Sequence, residues 1–212
     1  KLSTTGEQQA TVLGQYFQKI LKEQPYVVAG GMQRHRQTAD FALAECFPEA
    51  TPHINIGWNE FNHQQVFAKY DARFNEPHLL KQDVAKESSP RAYLAKIFEG
   101  AISRWTDGEY HHEYDESWPH FKARVEDTLQ NLCDELAQTK PRYAVVFTSG
   151  GVVSVAVGKL LGLSPEKTFA LNWAIANASL TTLRLVRNEP QLLSLNEHHY
   201  LKAEDSKLLT WI

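Results

Sequence analysis

The sequence predicts an α/β fold: a three-layer sandwich with a mainly parallel sheet, helices on both faces, and an inserted helical or irregular lobe. Three observations predict it. First, Val145-Val146-Phe147-Thr148-Ser149-Gly150-Gly151-Val152-Val153 breaks a β-branched run into two hydroxyls and two glycines, then resumes as an apolar run. That is the pattern of a buried strand, a tight turn and the start of a helix. Second, the amino-terminal part alternates helix, strand, turn and helix, which is α/β grammar. Third, this grammar is lost over residues 51–115, which are rich in aromatics and histidines.

Each element has its own signal. Ala10, Leu13, Phe17, Ile20 and Leu21 recur at three- and four-residue steps and predict a helix ending near Glu23, before Pro25. Thr4 and Glu7 have capping-box spacing. Residues 26–30 read as a short buried strand closed by glycines, and residues 33–47 as a second helix stopped by Pro48. Within 51–115, Ser88-Ser89-Pro90 predicts a helix start, with the helix covering 91–100. Trp118, Phe121, Val125, Leu129, Leu132 and Leu136 form one stripe of a long helix. The strand over 143–148 follows, and then a helix to about Leu161. Ser164-Pro165-Glu166 caps another. Residues 180–186 predict a strand that shares the sheet of the other two. Asn188-Glu189-Pro190 is a turn, and residues 191–195 return as a hairpin partner. The whole, residues 1–212, reads as a single domain, with 51–115 as an insertion or lid within it.

Composition excludes several function classes. The 212 residues are 42% hydrophobic and 22% charged with net charge -3, so the chain is globular and has no electrostatic drive towards nucleic acid or an anionic membrane. No apolar run approaches the roughly 20 residues of a membrane span. Cys46 and Cys133 are expected to be free thiols, and the cytoplasm is the expected compartment. The opening residues are no signal peptide, and the sequence is expected to continue upstream of Lys1.

Candidate chemistry lies in three stretches. At the Thr148-Ser149-Gly150-Gly151 turn, small residues let a ligand approach backbone amides; the competing reading is a glycine-rich turn without a ligand. At Gly30-Gly31-Met32-Gln33-Arg34-His35-Arg36, cations open a helix. They oppose the macrodipole there unless an anion sits against that end. Arg34 is the candidate anion ligand, and Arg36 reads more readily as a solvated charge. In Trp58-Asn59-Glu60-Phe61 one carboxylate stands between aromatics, whose packing raises a carboxyl pKa and suits a general acid. A surface glutamate is the alternative. Adjacent histidine pairs point apart and do not chelate, so no metal and no cofactor is expected. A nucleophile elbow at Ser149 fails, because Phe147 stands where glycine is needed. A P-loop fails for want of Gly-Lys-Ser/Thr.

In order, these segments resemble the histidine phosphatase superfamily, phosphoglycerate-mutase-like branch. Leu2-Ser3-Thr4-Thr5-Gly6-Glu7-Gln8-Gln9-Ala10 is similar to its L-T-x-x-G-x-x-Q-A helix start. Gly31-Met32-Gln33-Arg34-His35-Arg36-Gln37-Thr38-Ala39 resembles its S-P-L-x-R-A-x-Q-T-A segment. Glu116-Ser117 with Arg124-Val125 resembles its E-S-x-x-x-x-x-R-V helix. Phe147-Thr148-Ser149-Gly150-Gly151-Val152 resembles V-S-H-G-G-V, and Asn177-Ala178-Ser179-Leu180-Thr181 resembles N-A-S-I-T. The resemblance implies hydrolysis of a small phosphorylated metabolite through a phosphohistidine, with phosphatase favoured over mutase. It assigns Glu60 as proton donor and Arg34 as a phosphate-clamping catalytic arginine. Ser149, Thr148 and Gly150 complete the implied phosphate site. The family's R-H-G nucleophile turn has no counterpart in these residues and is expected upstream of Lys1. Ser149 stands where the family has its second histidine. The alternative is therefore a weak or inactive relative that binds phosphorylated ligands or serves as an interaction domain.

Overall fold

A computed structural model describes residues 1–211; Ile212, the last residue of the expected domain, lies outside the described residues. The chain forms two compact units, Lys1–Glu60 with Val125–Ile212, and Phe61–Arg124. Residues 51–60, read from the sequence as part of the insertion, belong to the first unit.

The first unit is built on a parallel sheet of order β2-β1-β3, from β1 (Tyr26–Ala29), β2 (His53–Ile54) and β3 (Ala144–Phe147), flanked by helices. In β1 and β3, Tyr26 pairs with Ala144 and Ala29 with Phe147. Helices α1 (Thr4–Ile20) and α2 (Gln33–Cys46) pack on each other and on this sheet through Leu13, Phe17, Val27, Ala29, Ala39, Ala42, Leu43 and Phe147. The α1 cap is Ser3, not Thr4: the Gly6 amide donates to Ser3 Oγ at 3.1 Å. The helix therefore starts one residue earlier than a Thr4 cap would place it, with Thr4 already inside. Gln9 is buried and donates to the Leu208 carbonyl at 2.6 Å, tying α1 to the carboxyl-terminal segment. After β3 come α7 (Gly150–Leu161) and α8 (Pro165–Ala174), the latter capped by Ser164 as expected.

The third expected strand departs from the prediction. β4 (Leu180–Val186) pairs antiparallel with β5 (Glu189–Glu197) in a separate two-stranded sheet. The reason is local. Arg187 and Asn188 both adopt positive φ, 52° and 69°, the two-residue turn whose twist matches a tight hairpin. Antiparallel pairing through so short a turn satisfies β4 at once. Leu180 is partly buried against the Phe17–Phe147 cluster, which is its link to the main core.

The second unit is helical, with α3 (His63–Tyr70), α4 (Pro77–Val84), α5 (Pro90–Asp107) and the first residues of α6 (Trp118–Thr139). Its centre is aromatic. Trp105 and Phe121 are fully buried, and Phe61 stacks on Trp105 at 4.8 Å. Phe67 stacks on Phe98 at 4.8 Å. This explains why the sequence lacks a clean apolar period here: large rings fill the centre with few residues per helix. Arg73 joins Asp83 at 2.7 Å, and Arg104 joins Glu113 at 2.8 Å. No described helix is long and apolar enough to cross a membrane. Cys46 and Cys133 are free thiols.

Gly14 of α1 tests the α1–α2 packing. A Cβ there would fall on the Ala42 carbonyl oxygen. Gly→Ala inside a helix ordinarily gains about 1 kcal/mol. Here Gly14→Ala is expected to lose about 1–3 kcal/mol, the usual cost of overpacking, read from the urea midpoint. A gain in stability would contradict this packing.

Candidate functional site

The parallel pairing of β1 and β3 extends one residue past the strands. The Gly30 amide donates to the Phe147 carbonyl at 3.0 Å. The chain therefore leaves both strands side by side, and two turns emerge together at the carboxyl edge of the sheet, where α/β proteins hold ligands. One turn leads into α2 at Gln33 and the other into α7 at Gly150. The same edge explains why residues 115 apart meet.

Ser149 is the N-cap of α7, yet its side chain makes no capping bond. A serine here normally accepts from the amides of its own helix. Instead Ser149 Oγ accepts from Arg34 Nε and Nη2, each at 3.3 Å. It also lies 2.6 Å from His35 Nε2. Arg34 is half-buried, whereas Arg36 is exposed. The structure thus brings Arg34 and Ser149 together and leaves Arg36 on the surface.

Three consecutive residues then clamp both turns. The Trp58 carbonyl accepts from Thr148 Oγ1 at 2.7 Å, Asn59 Oδ1 accepts from the Gly31 amide at 2.6 Å, and Glu60 Oε2 accepts from the Gly151 amide at 3.0 Å. Thr148 spends its hydroxyl proton on Trp58, so in this conformation it offers only acceptor lone pairs. Gly150 supplies the first amide of α7, which helix geometry leaves without an intrahelical acceptor. Glu60 is half-buried, and its carboxyl group lies at the amino-terminal end of α7. Trp58 and Phe61 are both buried, but the Phe61 ring stacks on Trp105. A Cβ on Gly151 would fall on the Glu60 carboxylate, so a larger residue there would displace that side chain.

His35 is the site residue that sequence reasoning did not assign. It is 2% exposed, and its Nδ1 is buried without a hydrogen-bond partner. Burial, reinforced by the Arg34 charge beside it, pushes its pKa from 6.5 down to about 4. The ring is therefore neutral at neutral pH. The signal was available: His35, Ala39, Ala42 and Leu43 are the buried residues of α2, spaced as one helix face. Periodicity alone puts an imidazole on the core side, directly after the arginine. Among the described residues, no group of three or more His, Cys, Asp or Glu side chains gathers to hold a metal ion.

The lowered pKa sets a pH signature. The unfolded chain takes up a proton at this histidine near pH 6.5, and the folded chain only near pH 4. The group therefore costs nothing above about 6.5, and stability is lost as pH falls from 6.5 towards 4. The loss is at most about 3.5 kcal/mol, at about 1.4 kcal/mol per pKa unit. His35→Gln is expected to flatten that part of the stability profile, measured by urea unfolding at a series of pH values. An unchanged slope in the variant would place the titration elsewhere.

The family model of the histidine phosphatase superfamily (branch 1) matches residues 1–198. No curated protein is similar enough in sequence to match. Among solved structures, the chain is similar to a phosphoglycerate mutase from Bacillus anthracis, with TM-score 0.63 and 15% identity over 95% of this chain and 84% of that one. It is similar to the alpha-ribazole phosphatase from Shigella flexneri, with TM-score 0.60 and 17% identity over 93% of this chain and 84% of that one. It is also similar to a phosphoserine phosphatase from Entamoeba histolytica solved with phosphoserine, with TM-score 0.55 and 16% identity over 95% and 86%. At such identities these structures speak for the fold, and the family model carries the membership. The chain belongs to the histidine phosphatase superfamily, branch 1.

Proposed function

We propose that this protein is a phosphatase that hydrolyses a small phosphorylated metabolite at the carboxyl edge of the β2-β1-β3 sheet. Membership of the superfamily supports a phosphatase or mutase type of activity. The observation that carries the reading is the meeting of the Arg34 guanidinium with Ser149 Oγ at 3.3 Å, at the start of α7. A fixed cation, a hydroxyl and the amides of a helix N-terminus together make an anion site.

The roles follow from the donors present. Arg34 has guanidinium donors beyond the two that meet Ser149, and these bind phosphoryl oxygens. Ser149 and the Gly150 amide add neutral donors. They meet the negative charge that spreads over the equatorial oxygens during phosphoryl transfer. Glu60, held by the Gly151 amide at the edge of the same turn, protonates the departing oxygen. The nucleophile in this proposal is a histidine upstream of Lys1, on a strand that pairs with the open edge of β3. β3 pairs with β1 alone among the described strands, which leaves that edge for it. Attack transfers the phosphoryl group to the imidazole, and water then releases it as inorganic phosphate. The reading extends to a soluble, cytoplasmic protein whose partner is the small phosphorylated substrate.

The test uses the full-length protein and an alkyl phosphate, a poor leaving group. Glu60→Gln is expected to lower turnover by roughly 10²–10⁴-fold, the span for loss of a general acid, while binding of inorganic phosphate changes little. Turnover equal to wild type would remove Glu60 from the mechanism. Ser149→Ala is expected to lower turnover by no more than about 10²-fold, the low end for one preorganised donor. Wild-type protein that binds phosphate without turnover would favour a binding role for the site.

A further inference from the structure

The Ser149 hydroxyl is the hub of the site, and its three hydrogen-bonding directions can be counted. A hydroxyl has one proton and two acceptor lone pairs. Arg34 Nε and Nη2 fork onto the oxygen and occupy one lone pair. His35 Nε2, at 2.6 Å, takes a second direction, but the heavy atoms leave its role open: it either donates to the oxygen or accepts the hydroxyl proton. The two cases present opposite faces to an anion. If His35 accepts, the serine proton is spent, and a bare lone pair remains to repel a phosphoryl oxygen. If His35 donates, both lone pairs are filled, and the one free direction carries the proton.

The opposite side of the ring decides between them. Nδ1 is buried with no hydrogen-bond partner. Gly30 lies against it, and a Cβ built on Gly30 would overlap Nδ1. The Cα hydrogen that occupies that direction points at Nδ1. A lone pair there receives a weak C–H···N contact. An N–H there would set two hydrogens against each other and leave a buried donor unsatisfied, a costly arrangement. The ring therefore carries its proton on Nε2.

We propose that His35 is a positioning residue: through its Nε2–H it fills the acceptor side of Ser149 Oγ, so that the serine proton is held outward as a donor for a bound phosphoryl oxygen. The low proton affinity of the ring agrees, since a residue that stays neutral beside Arg34 donates without adding repulsion to it. The same geometry assigns Gly30 a reason to be glycine. It also shows that the site does contain an imidazole, presented from α2 one residue after Arg34. The charged group beside this ring is Arg34, its neighbour on α2, while Ser149 lies against Nε2 and Gly30 against Nδ1.

The proposal rests on the phosphate-site reading above, and two measurements separate their fates. Nitrogen-15 NMR of the histidine ring in the full-length protein reads the tautomer directly. Protonated Nε2 with bare Nδ1 is expected for His35. Protonated Nδ1 would overturn the proposal and leave the phosphate site standing. Titration with inorganic phosphate tests the consequence. His35→Met, which keeps volume and removes the donor, is expected to weaken phosphate binding about 5–10-fold, the scale of one neutral hydrogen bond. His35→Gln, whose amide reaches as far as Nε2, is expected to stay within about 3-fold of wild type on the same scale. In a Ser149→Ala background, His35→Met is expected to add no further loss. An equal loss with and without Ser149 would mean that His35 acts on the fold and not through the serine, and would overturn the proposal. Wild-type protein that binds no phosphate would overturn both readings.

Discussion

The site depends on the parallel pairing of β1 with β3. Their register, Ala29 opposite Phe147, continues through the Gly30 amide to the Phe147 carbonyl. Every later contact inherits that alignment. Parallel strands must send their following turns out of the same edge, so Arg34 and Ser149 meet although 115 residues separate them. A one-residue slip would turn Phe147 away from the Phe17 cluster and carry Ser149 off Arg34 at the same time. Core packing and site geometry are therefore one constraint.

Once the two turns are adjacent, residues 58–60 hold them at a fixed separation. A carbonyl, an amide oxygen and a carboxylate on successive residues bind Thr148, Gly31 and Gly151. The approach is closest at two glycines. Gly30 abuts His35 and the Trp58 carbonyl, and Gly151 abuts Glu60. The close approach has a cost elsewhere: a buried imidazole with one unsatisfied nitrogen beside a cation. A neutral ring beside Arg34 keeps the positive charge on the guanidinium alone.

Much of this was legible in the residues themselves. The Val145–Gly151 pattern marked a strand, turn and helix, and the Gly-Gly before Arg34 marked another. The order of the quoted segments pointed to the family that the matching model identifies. The hairpin of residues 180–195 was legible too, but its separation from the parallel sheet was not. Alternation over residues 180–186 says that a strand exists, not which sheet it joins, and the tight turn at Arg187 and Asn188 carries no glycine signal. The helices of residues 61–124 were masked because aromatic rings, not periodic aliphatic residues, fill their centre. His35 was in plain view but was read as one charge among three. What separates it from Arg34 and Arg36 is its place on the buried face of α2, a matter of spacing and not of composition.

The central claim is that Arg34 and Ser149 share one phosphoryl group. A crystal structure of the full-length protein with vanadate bound tests it most directly. The account predicts a vanadium centre whose oxygens lie within hydrogen-bond distance, roughly 3 Å, of both the Arg34 guanidinium and Ser149 Oγ, with the Glu60 carboxyl facing the position of the leaving oxygen. Vanadate seated elsewhere, or an Arg34 turned away from it, would contradict the account.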